Sequence, residues 1–566
     1  MSSVRIRPYC SPTLVLLSFD WDDGKTRENF LGFAIKRTPG FNNENSSWLP
    51  NRIGFNGPAK NGQDLPSNTN PIQKFMWWDA RFGDKDRRKT FTYTVMPVIG
   101  KPNHLHLLDT ASSSKQVTLP PDFEDSIGTY FNRAVVSSQA FSHDFGTDIA
   151  DQETLHRALT WLANGLEKVI PDFVSNGAES IEGMIYHITD KKWILPSFKS
   201  LADRLSLVYY WKEGHGKPEN NDTANEIAKT ELDKAGLYPR TKTNLMHNKV
   251  LVKVSNGKPI QILMGSANFT TEGLTTQANL IHTFDSTKLA TLYLNRKKML
   301  ESDPAVAQTS QEARWQPPVN VGRAKIRVFF SPEPQHSRES IDRIINSVKE
   351  ATNSVLFCVY DPTDSLLFEA IFEKADKEHK MMFGLVNSIS KPKGTGENPN
   401  SGNIGKVTLY HRSSENRDVY SYSLYPKKGH PEGFWWENTS IHTSIPDSSM
   451  ETKSKWEVHI HHKFIIIDGE TEHPVIYTGS ANMSDNSVHE NDENLLEIRD
   501  APKLAQIYLA EFFRLYEHYR ARAARKAFER GDRRTYELAK GGDWRRDYYD
   551  DRRPQFKSRV SMAQEI

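Results

Sequence analysis

The chain of 566 residues contains two cysteines, Cys10 and Cys358. Two cysteines cannot build a disulfide framework, and neither belongs to a cluster with metal-ligand spacing. They read as small buried residues of a reducing compartment. Long apolar runs are missing too, since none approaches the roughly 20 residues of a membrane-spanning helix. The N-terminal apolar stretch Thr13–Phe19 is short and runs straight into Asp20, Trp21, Asp22 and Asp23. That pattern suits a strand and not a signal peptide, so a cytoplasmic protein without a transmembrane segment is expected. Charge of one sign is also not in excess: 73 Lys and Arg against 71 Asp and Glu leave +2. No global basic field therefore advertises nucleic acid.

What charge there is lies unevenly. From Arg514 to Arg559 there are 15 Lys and Arg against 8 Asp and Glu, interleaved with Tyr519, Phe528, Tyr536, Trp544, Tyr548, Tyr549 and Phe556. Basic and aromatic together suit a nucleic-acid surface. The alternative is a solvated helix whose aromatics pack back on the body.

Length alone suggests three or four domain-sized units. Residues 1–120 read as an all-β accessory domain, a small sandwich, from the short runs Thr13–Phe19, Phe30–Ile35, Phe75–Trp78 and Phe91–Val95 between turn residues. Beyond it helices and strands alternate. Leu155–Val174 has helical apolar spacing, and Ser180–Ile188 and Ser206–Trp211 are strands. A hairpin joins Lys249–Val254 to Ile260–Met264 through Asn256-Gly257. The second half repeats this plan with strands Lys325–Phe330, Ser354–Tyr360 and Met381–Val386 and helices Ser340–Ala351 and Leu366–Lys374. Such alternation predicts an α/β layer fold with a largely parallel sheet. A polar insertion at about 388–455, containing Trp435-Trp436, is placed as a lid near the cleft rim.

Chemistry enters through a repeat. His247-x-Lys249 is followed by Gly265-Ser266-Ala267-Asn268, and His461-x-Lys463 by Gly479-Ser480-Ala481-Asn482. The copies are 214 residues apart and align without a gap. With 19 histidines, an isolated His-x-Lys arises by chance on the order of once in such a chain. The ungapped duplication does not. In a strand, residues i and i+2 share a face, so His247 and Lys249 point the same way, as do His461 and Lys463. Lysine supplies fixed charge for phosphate oxygens, and the Asn amide donates to the same oxygens as charge shifts. One imidazole can attack phosphorus while the second acts as general acid. His459 shares the face of His461 and either lines the cleft or packs beside it; His462 faces the other way and is structural. Ser266 and Ser480 are read as caps of the following turn or helix, or as hydroxyls that orient a motif side chain.

These residues resemble the phospholipase D superfamily, whose signature is two His-x-Lys-x4-Asp motifs, each followed by Gly-Ser-x-Asn. The resemblance spans roughly residues 125–515 and is of the bacterial phospholipase D-like kind. It implies two pseudo-twofold-related α/β halves with mixed sheets flanked by helices, a phosphohistidine intermediate, and no metal or other cofactor. Together with the strand pattern before it and the composition after it, this divides the chain into a β-sandwich accessory domain (1–120), a first half (121–320), a second half (321–515) and a basic aromatic C-terminal segment (516–566). The catalytic set carried over is His247, Lys249, Asn268, His461, Lys463, Asn482 and Glu493, with Ser266, Asn279, Asp468 and Ser480 in support. The first motif departs from the pattern twice: Val254 stands where the second has Asp468, and Asn279 where it has Glu493, with Gln277 a second amide nearby. Tyrosyl-DNA phosphodiesterases are similar here, with an amide in the first motif. A carboxylate raises an imidazole's pKa, whereas an amide only orients it. On that basis His461, backed by Glu493, is expected to be the general acid and His247 the nucleophile.

Three functions are carried forward. The first is a nuclease acting on DNA or RNA. The second is a phospholipase D or phosphatidyl transferase, for which Leu504–Tyr519 would serve as an interfacial amphipathic helix. The third is a phosphate-ligand binding protein without strong catalysis. The β-domain shows no catalytic constellation, so recognition of a partner protein, dimerisation or scaffolding are the roles left to it.

Overall fold

The computed structural model describes residues 2–58, 63–134, 141, 144–145, 148–211, 232–360, 362–378, 380–387, 418–421, 440–443, 455–457, 459–529 and 537–564. The N-terminal region is all-β. Strands Arg5–Ser11, Leu14–Asp20 and Met76–Asp79 form one antiparallel sheet. Phe30–Thr38 and Thr90–Lys101 form the centre of a second. Val15, Leu17 and Phe19 face Phe33, Ile35, Tyr93 and Val95 across one core. Leu14 and Leu16 alternate to the opposite face and join the core of the rest of the chain. Leu14–Asp20 is therefore buried on both sides, which is why it lacks the apolar-polar alternation of a half-exposed strand.

The body consists of two eight-stranded mixed sheets. In chain order the first contains β1 (Phe123–Glu124), β2 (Ile127–Phe131), β3 (Ser180–Ile185), β4 (Leu205–Tyr210), β5 (Gly236–Arg240), β6 (Lys249–Ser255), β7 (Lys258–Gly265) and β8 (Leu280–Asp285). The second contains β9 (Val319–Val321), β10 (Ala324–Ser331), β11 (Ser354–Val359), β12 (Met381–Val386), β13 (Asp418–Ser421), β14 (Lys463–Ile467), β15 (Val475–Gly479) and β16 (Glu493–Arg499). The spatial orders are β1-β2-β8-β7-β6-β3-β4-β5 and β9-β10-β16-β15-β14-β11-β12-β13, so the second sheet repeats the first strand for strand. The two sheets share a central core, in which Val250, Val252, Ile262 and Met264 meet Phe464, Ile466, Ile476 and Leu496. Their outer faces are covered separately, by helices Leu166–Ser175 and Ile194–Lys199 in the first half and Glu339–Glu350 and Ser365–Asp376 in the second.

Three expectations need correction here. The sheets are not largely parallel: only β3-β4-β5 and β11-β12-β13 run parallel, and the other pairs are antiparallel. The motifs ride on tight hairpins, and a short turn can return only antiparallel. In the first hairpin Asn256 and Gly257 both have positive φ, 50° and 66°, as a type I′ turn requires. The helix expected over Leu155–Val174 is two helices, Gln152–Ala163 and Leu166–Ser175, because Asn164 and Gly165 turn to φ 51° and 106° between them.

The third correction concerns the C-terminal part. Helix Pro502–Glu529 buries Leu504, Tyr508, Leu509, Phe512, Phe513, Tyr516 and Tyr519 in the central core, so its apolar face is not available to a bilayer. The basic aromatic stretch behaves the same way. Trp544, Tyr548 and Tyr549 pack on Phe30 and Phe75 of the β-region, and Arg559 is buried against Asp20. The aromatics are spent on joining the chain's two ends; Tyr536 and the side chain of Phe528 lie outside the described residues. Trp435, Trp436 and most of the insertion also lie outside them. Among the described residues no helix is long and apolar enough to cross a membrane.

Candidate functional site

Both motifs occupy equivalent places. His247 and His461 stand just before β6 and β14, whose first residues are Lys249 and Lys463. Each lysine ammonium donates back to the carbonyl of the histidine two residues earlier, Lys463 Nζ to His461 O at 2.8 Å and Lys249 Nζ to His247 O. Each is thereby turned alongside its imidazole. Each ammonium also lies over a tyrosine ring, Lys249 over Tyr186 at 5.0 Å and Lys463 over Tyr360 at 5.1 Å. The same rings meet His247 and His461 edge to face, both at 4.9 Å. A desolvated cation over a ring face is stabilised by about 2 kcal/mol.

Tyr186 and Tyr360 were not found by sequence reasoning, although a signal for them exists. Ser180-Ile-x3-Ile-Tyr186 and Ser354-Val-x3-Val-Tyr360 are a second repeat, at an offset of 174 residues where the motifs are offset by 214. It runs along β3 and β11, the strands beside the motif strands.

The partners of the histidines are crossed between halves. His247 Nδ1 is 2.8 Å from Glu493 Oε2, and His461 Nδ1 is 2.9 Å from Asn279 Oδ1. This overturns the expected pairing of His461 with Glu493. The cause is backbone pairing. Met246 bridges Asp492 in parallel, and His247 N–H donates to Asp492 O at 2.9 Å. Reciprocally, Gln277-Ala278 pairs in parallel with His459-Ile460, and His461 N–H donates to Ala278 O at 3.1 Å. Each motif therefore enters beside the segment that carries the other half's amide or carboxylate.

Both pairs are held from behind. Asn279 Nδ2 donates to Gly273 O at 2.8 Å, so its Oδ1 must accept, from Ser266 Oγ at 2.8 Å and from His461 Nδ1. The His461 ring is thus held as the Nδ1–H tautomer, with Nε2 free of that proton. Glu493 Oε1 accepts from Ser487 Oγ at 3.0 Å and Asn491 Nδ2 at 3.2 Å, leaving Oε2 for His247. Under Glu493 the neighbouring Asp492 is clamped by buried Arg240 and Arg296 of the first half at 2.8 and 3.2 Å.

The remaining candidates separate by position. Asn268 and Asn482 follow β7 and β15, and the Oδ1 atoms of both are buried without a hydrogen-bond partner. Amide oxygen and nitrogen are interchangeable by a flip, so either side chain can aim its N–H groups where its oxygen now points. A buried amide lacking a partner costs about 1–3 kcal/mol, which an incoming oxyanion would recover. Ser266 and Ser480 accept from Leu280 N at 3.2 Å and Asn494 N at 3.0 Å, tying each motif to the next strand. They are not helix caps; Thr270 and Ser484 hold those positions. Asp468 accepts from the N–H groups of Thr352, Asn353 and Ser354 at 2.7–2.9 Å and so braces the start of β11. His462 packs between Phe131 and Phe464 on the face away from the site. His459 is close enough to His461 to disfavour its protonation.

Burial dominates the electrostatics. It lowers His247 to about 4 despite Glu493, and it lowers His461 further, with Lys463 and Lys249 adding to the effect. Burial thus favours the neutral form of both rings. Burial also pulls Lys463 to about 7 and Lys249 well below the usual lysine range, with Glu493 opposing. Glu493 is pushed up by burial, but His247 and Lys249 outweigh this and hold it below the usual carboxylate range. Two ammonium groups facing one carboxylate make a pocket suited to a singly charged anion. Among the described residues no cluster of His, Cys, Asp and Glu has the make-up of a metal site.

A two-half α/β fold with paired His, Lys and Asn side chains at the seam defines the class. Residues 344–516 match the family model described as "Cardiolipin synthase, PLD-like domain", and the first half repeats that part in strand order and motif. Over residues 344–516 the chain is similar to phospholipase D-like domains, and the repeated His-x-Lys and Gly-Ser-Ala-Asn skeleton extends that likeness to the first half.

Among solved structures it is similar to phosphatidylserine synthase of Haemophilus influenzae Rd KW20 (11% identity over 71% of this chain and 94% of that one, TM-score 0.41). It is also similar to yeast tyrosyl-DNA phosphodiesterase (11%, 58% and 84%, TM-score 0.33). A third is the polyphosphate kinase of Porphyromonas gingivalis (12%, 60% and 46%, TM-score 0.34), of which the chain spans less than half. No curated protein matches the chain.

Proposed function

We propose that the protein hydrolyses phosphodiesters through a covalent phosphohistidine on His247, and that its substrate is nucleic acid. The crossed pairing carries the assignment of roles. When His247 Nε2 bonds to phosphorus while Nδ1 keeps its proton, the ring becomes a cation. The Glu493 carboxylate at 2.8 Å stabilises that charge, and an amide oxygen cannot do so as well. His461, backed by the uncharged Asn279, is the less basic ring and hence the stronger acid once protonated. The substrate's negative charge favours that protonation.

In the first step the Nε2–P bond forms, the P–O bond to the leaving group breaks, and His461 gives its Nε2 proton to the leaving oxygen. In the second, water attacks phosphorus and gives a proton to His461 as the N–P bond breaks. Lys249, Lys463, Asn268 and Asn482 hold the non-bridging oxygens throughout. His247 is thus the nucleophile for the opposite reason to the one the sequence suggests: its carboxylate stabilises the intermediate.

Nucleic acid is favoured over phospholipid because the helix that would lie on a bilayer is spent on the core. The test incubates the full chain with plasmid, single-stranded DNA, RNA and mixed phospholipid vesicles in the presence of chelator. Cleavage of a nucleic acid that is lost in His247→Ala is the expected result. Release of headgroup from vesicles alone would move the substrate to lipid, and no turnover of any substrate would leave a phosphate-binding protein. For the roles, His461→Asn should accumulate a phosphohistidine adduct detectable by intact mass after alkaline quench, and His247→Asn should form none. The reverse pattern would exchange the two histidines.

A further inference from the structure

The rims on the two sides of the site differ. On the His247 side, His187 stacks on Tyr186 at 3.8 Å with 15° between the planes, and Tyr186 meets Tyr210 at 5.2 Å. Tyr186 is the ring against His247. Tyr186 is thus the hub that His247, His187 and Tyr210 all touch, and His187, Tyr186 and Tyr210 are all partly exposed. Tyr209 and Trp211, also partly exposed, pair with each other on the opposite face of the same strand end.

The second half does not repeat this. By register, Ile185 lies opposite Tyr209 and Val359 opposite Val386, so Tyr209 and Tyr210 correspond to Val386 and Asn387. Val386 is buried, and Asn387 is buried with its Oδ1 accepting from Ile460 N–H at 3.1 Å. Of these ring positions only that of Tyr186 is kept in the second half, as Tyr360. Since the halves match strand for strand, this difference at the rim is where a substrate's two ends would be told apart.

We propose that His187, Tyr186 and Tyr210 form a stacking subsite for a nucleobase on the His247 side of the bound phosphodiester. The proposal rests on the phosphodiesterase reading and adds to it which side of the scissile phosphate carries the recognised base. Rings with polar edges suit a base, which stacks on its face and keeps its own edge wet. An acyl chain would require aliphatic surface. Among the described residues the exposed large hydrophobic side chains are Phe123 and Leu366, neither of which belongs to this rim's strands. Stacking is tolerant of base identity, so the subsite selects for a base and not for a sequence.

The test measures binding, separately from turnover. The full chain with His247→Ala is titrated with fluorescently labelled hexathymidylate and with an abasic oligomer of the same length and charge. The base-bearing probe should bind about 10-fold tighter. Adding Tyr210→Ala should remove that preference without changing affinity for the abasic probe, and Tyr210→Phe should keep it. Equal affinities for the two probes before Tyr210 is changed would overturn the subsite. So would Tyr210→Ala weakening both probes alike, or Tyr210→Phe failing with it. Cleavage by the unaltered chain is scored separately: cleavage without base preference removes the subsite and keeps the phosphodiesterase, and preference without cleavage does the reverse.

Discussion

The two halves of the body share strand order, the hairpin that carries each motif, and a lysine held between its own histidine's carbonyl and a tyrosine ring. They differ in what they lend to each other. The second half lends a carboxylate to His247, and the first lends an amide to His461. Duplication supplies a symmetric pair of cations and amides. In the proposed reaction one side attacks and the other loses the leaving group, and the Glu-for-Asn difference is what would break the symmetry.

The most severe way to break that comparison is to remove the charge difference. Glu493→Gln should lower kcat by about 10²–10³-fold, the scale of one preorganised electrostatic group. Asn279→Ala should cost about 10-fold, because it frees a ring without uncovering a charge. Steady-state kinetics on one phosphodiester decides the matter, and equal losses would mean that the halves are chemically equivalent.

Next in size is a difference that should spare chemistry. Asp468 receives three backbone N–H groups and a hydroxyl, so Asp468→Ala should destabilise the fold by about 2–3 kcal/mol with kcat unchanged. Its counterpart Val254 has no such task, and Val254→Ala should cost only about 1 kcal/mol. Denaturant titration of both variants makes the comparison.

The tyrosines test the shared part. Tyr186→Leu and Tyr360→Leu should each reduce kcat/KM by about 10-fold through the lost cation–ring contact, while the Phe variants, which keep the ring, should not. A difference between Tyr186→Leu and Tyr360→Leu would show that the clamp itself is asymmetric.

The smallest effect concerns pH. Lys463 is lowered to about 7 by burial, so above that pH it loses its charge and the oxygens lose a partner. The logarithm of kcat/KM should therefore fall with rising pH through about 7, and Lys463→Arg should remove that limb while retaining charge. Stability moves with opposite sign on the acid side. His247 and His282 are each lowered to about 4 from 6.5, mainly by burial, so between pH 6.5 and 4 the unfolded chain binds more protons. The contribution of their neutral forms is complete above 6.5 and is lost as pH falls toward 4, which a denaturation series over that range would record.

Local features were readable without the fold. Asn256-Gly257 announces its hairpin because only certain residues take positive φ in succession, and the strands beside it alternate or run apolar according to how many faces they bury. The Asn164-Gly165 break was missed because apolar helical spacing continues across it. The aromatic run after Arg514 could not be assigned from composition, since rings that stack on bases and rings that pack on Phe75 are the same residues. The tyrosine clamp was missed because its offset of 174 residues does not match the motif offset, segments of unequal length lying between.

By itself the sequence determined that there are two copies of one His-x-Lys and Gly-Ser-Ala-Asn skeleton, that their His and Lys share a face, and that the copies are unequal at residues 254/468 and 279/493. These follow from residue identity and from the two-residue period of a strand, which act over a few positions. Only the tertiary structure decided who serves whom. His247 and Glu493 lie 246 residues apart, and His461 and Asn279 182 apart. They meet because the segments entering the two motifs pair in parallel with the opposite half, a choice made by the packing of two sheets on one core and written in no local pattern.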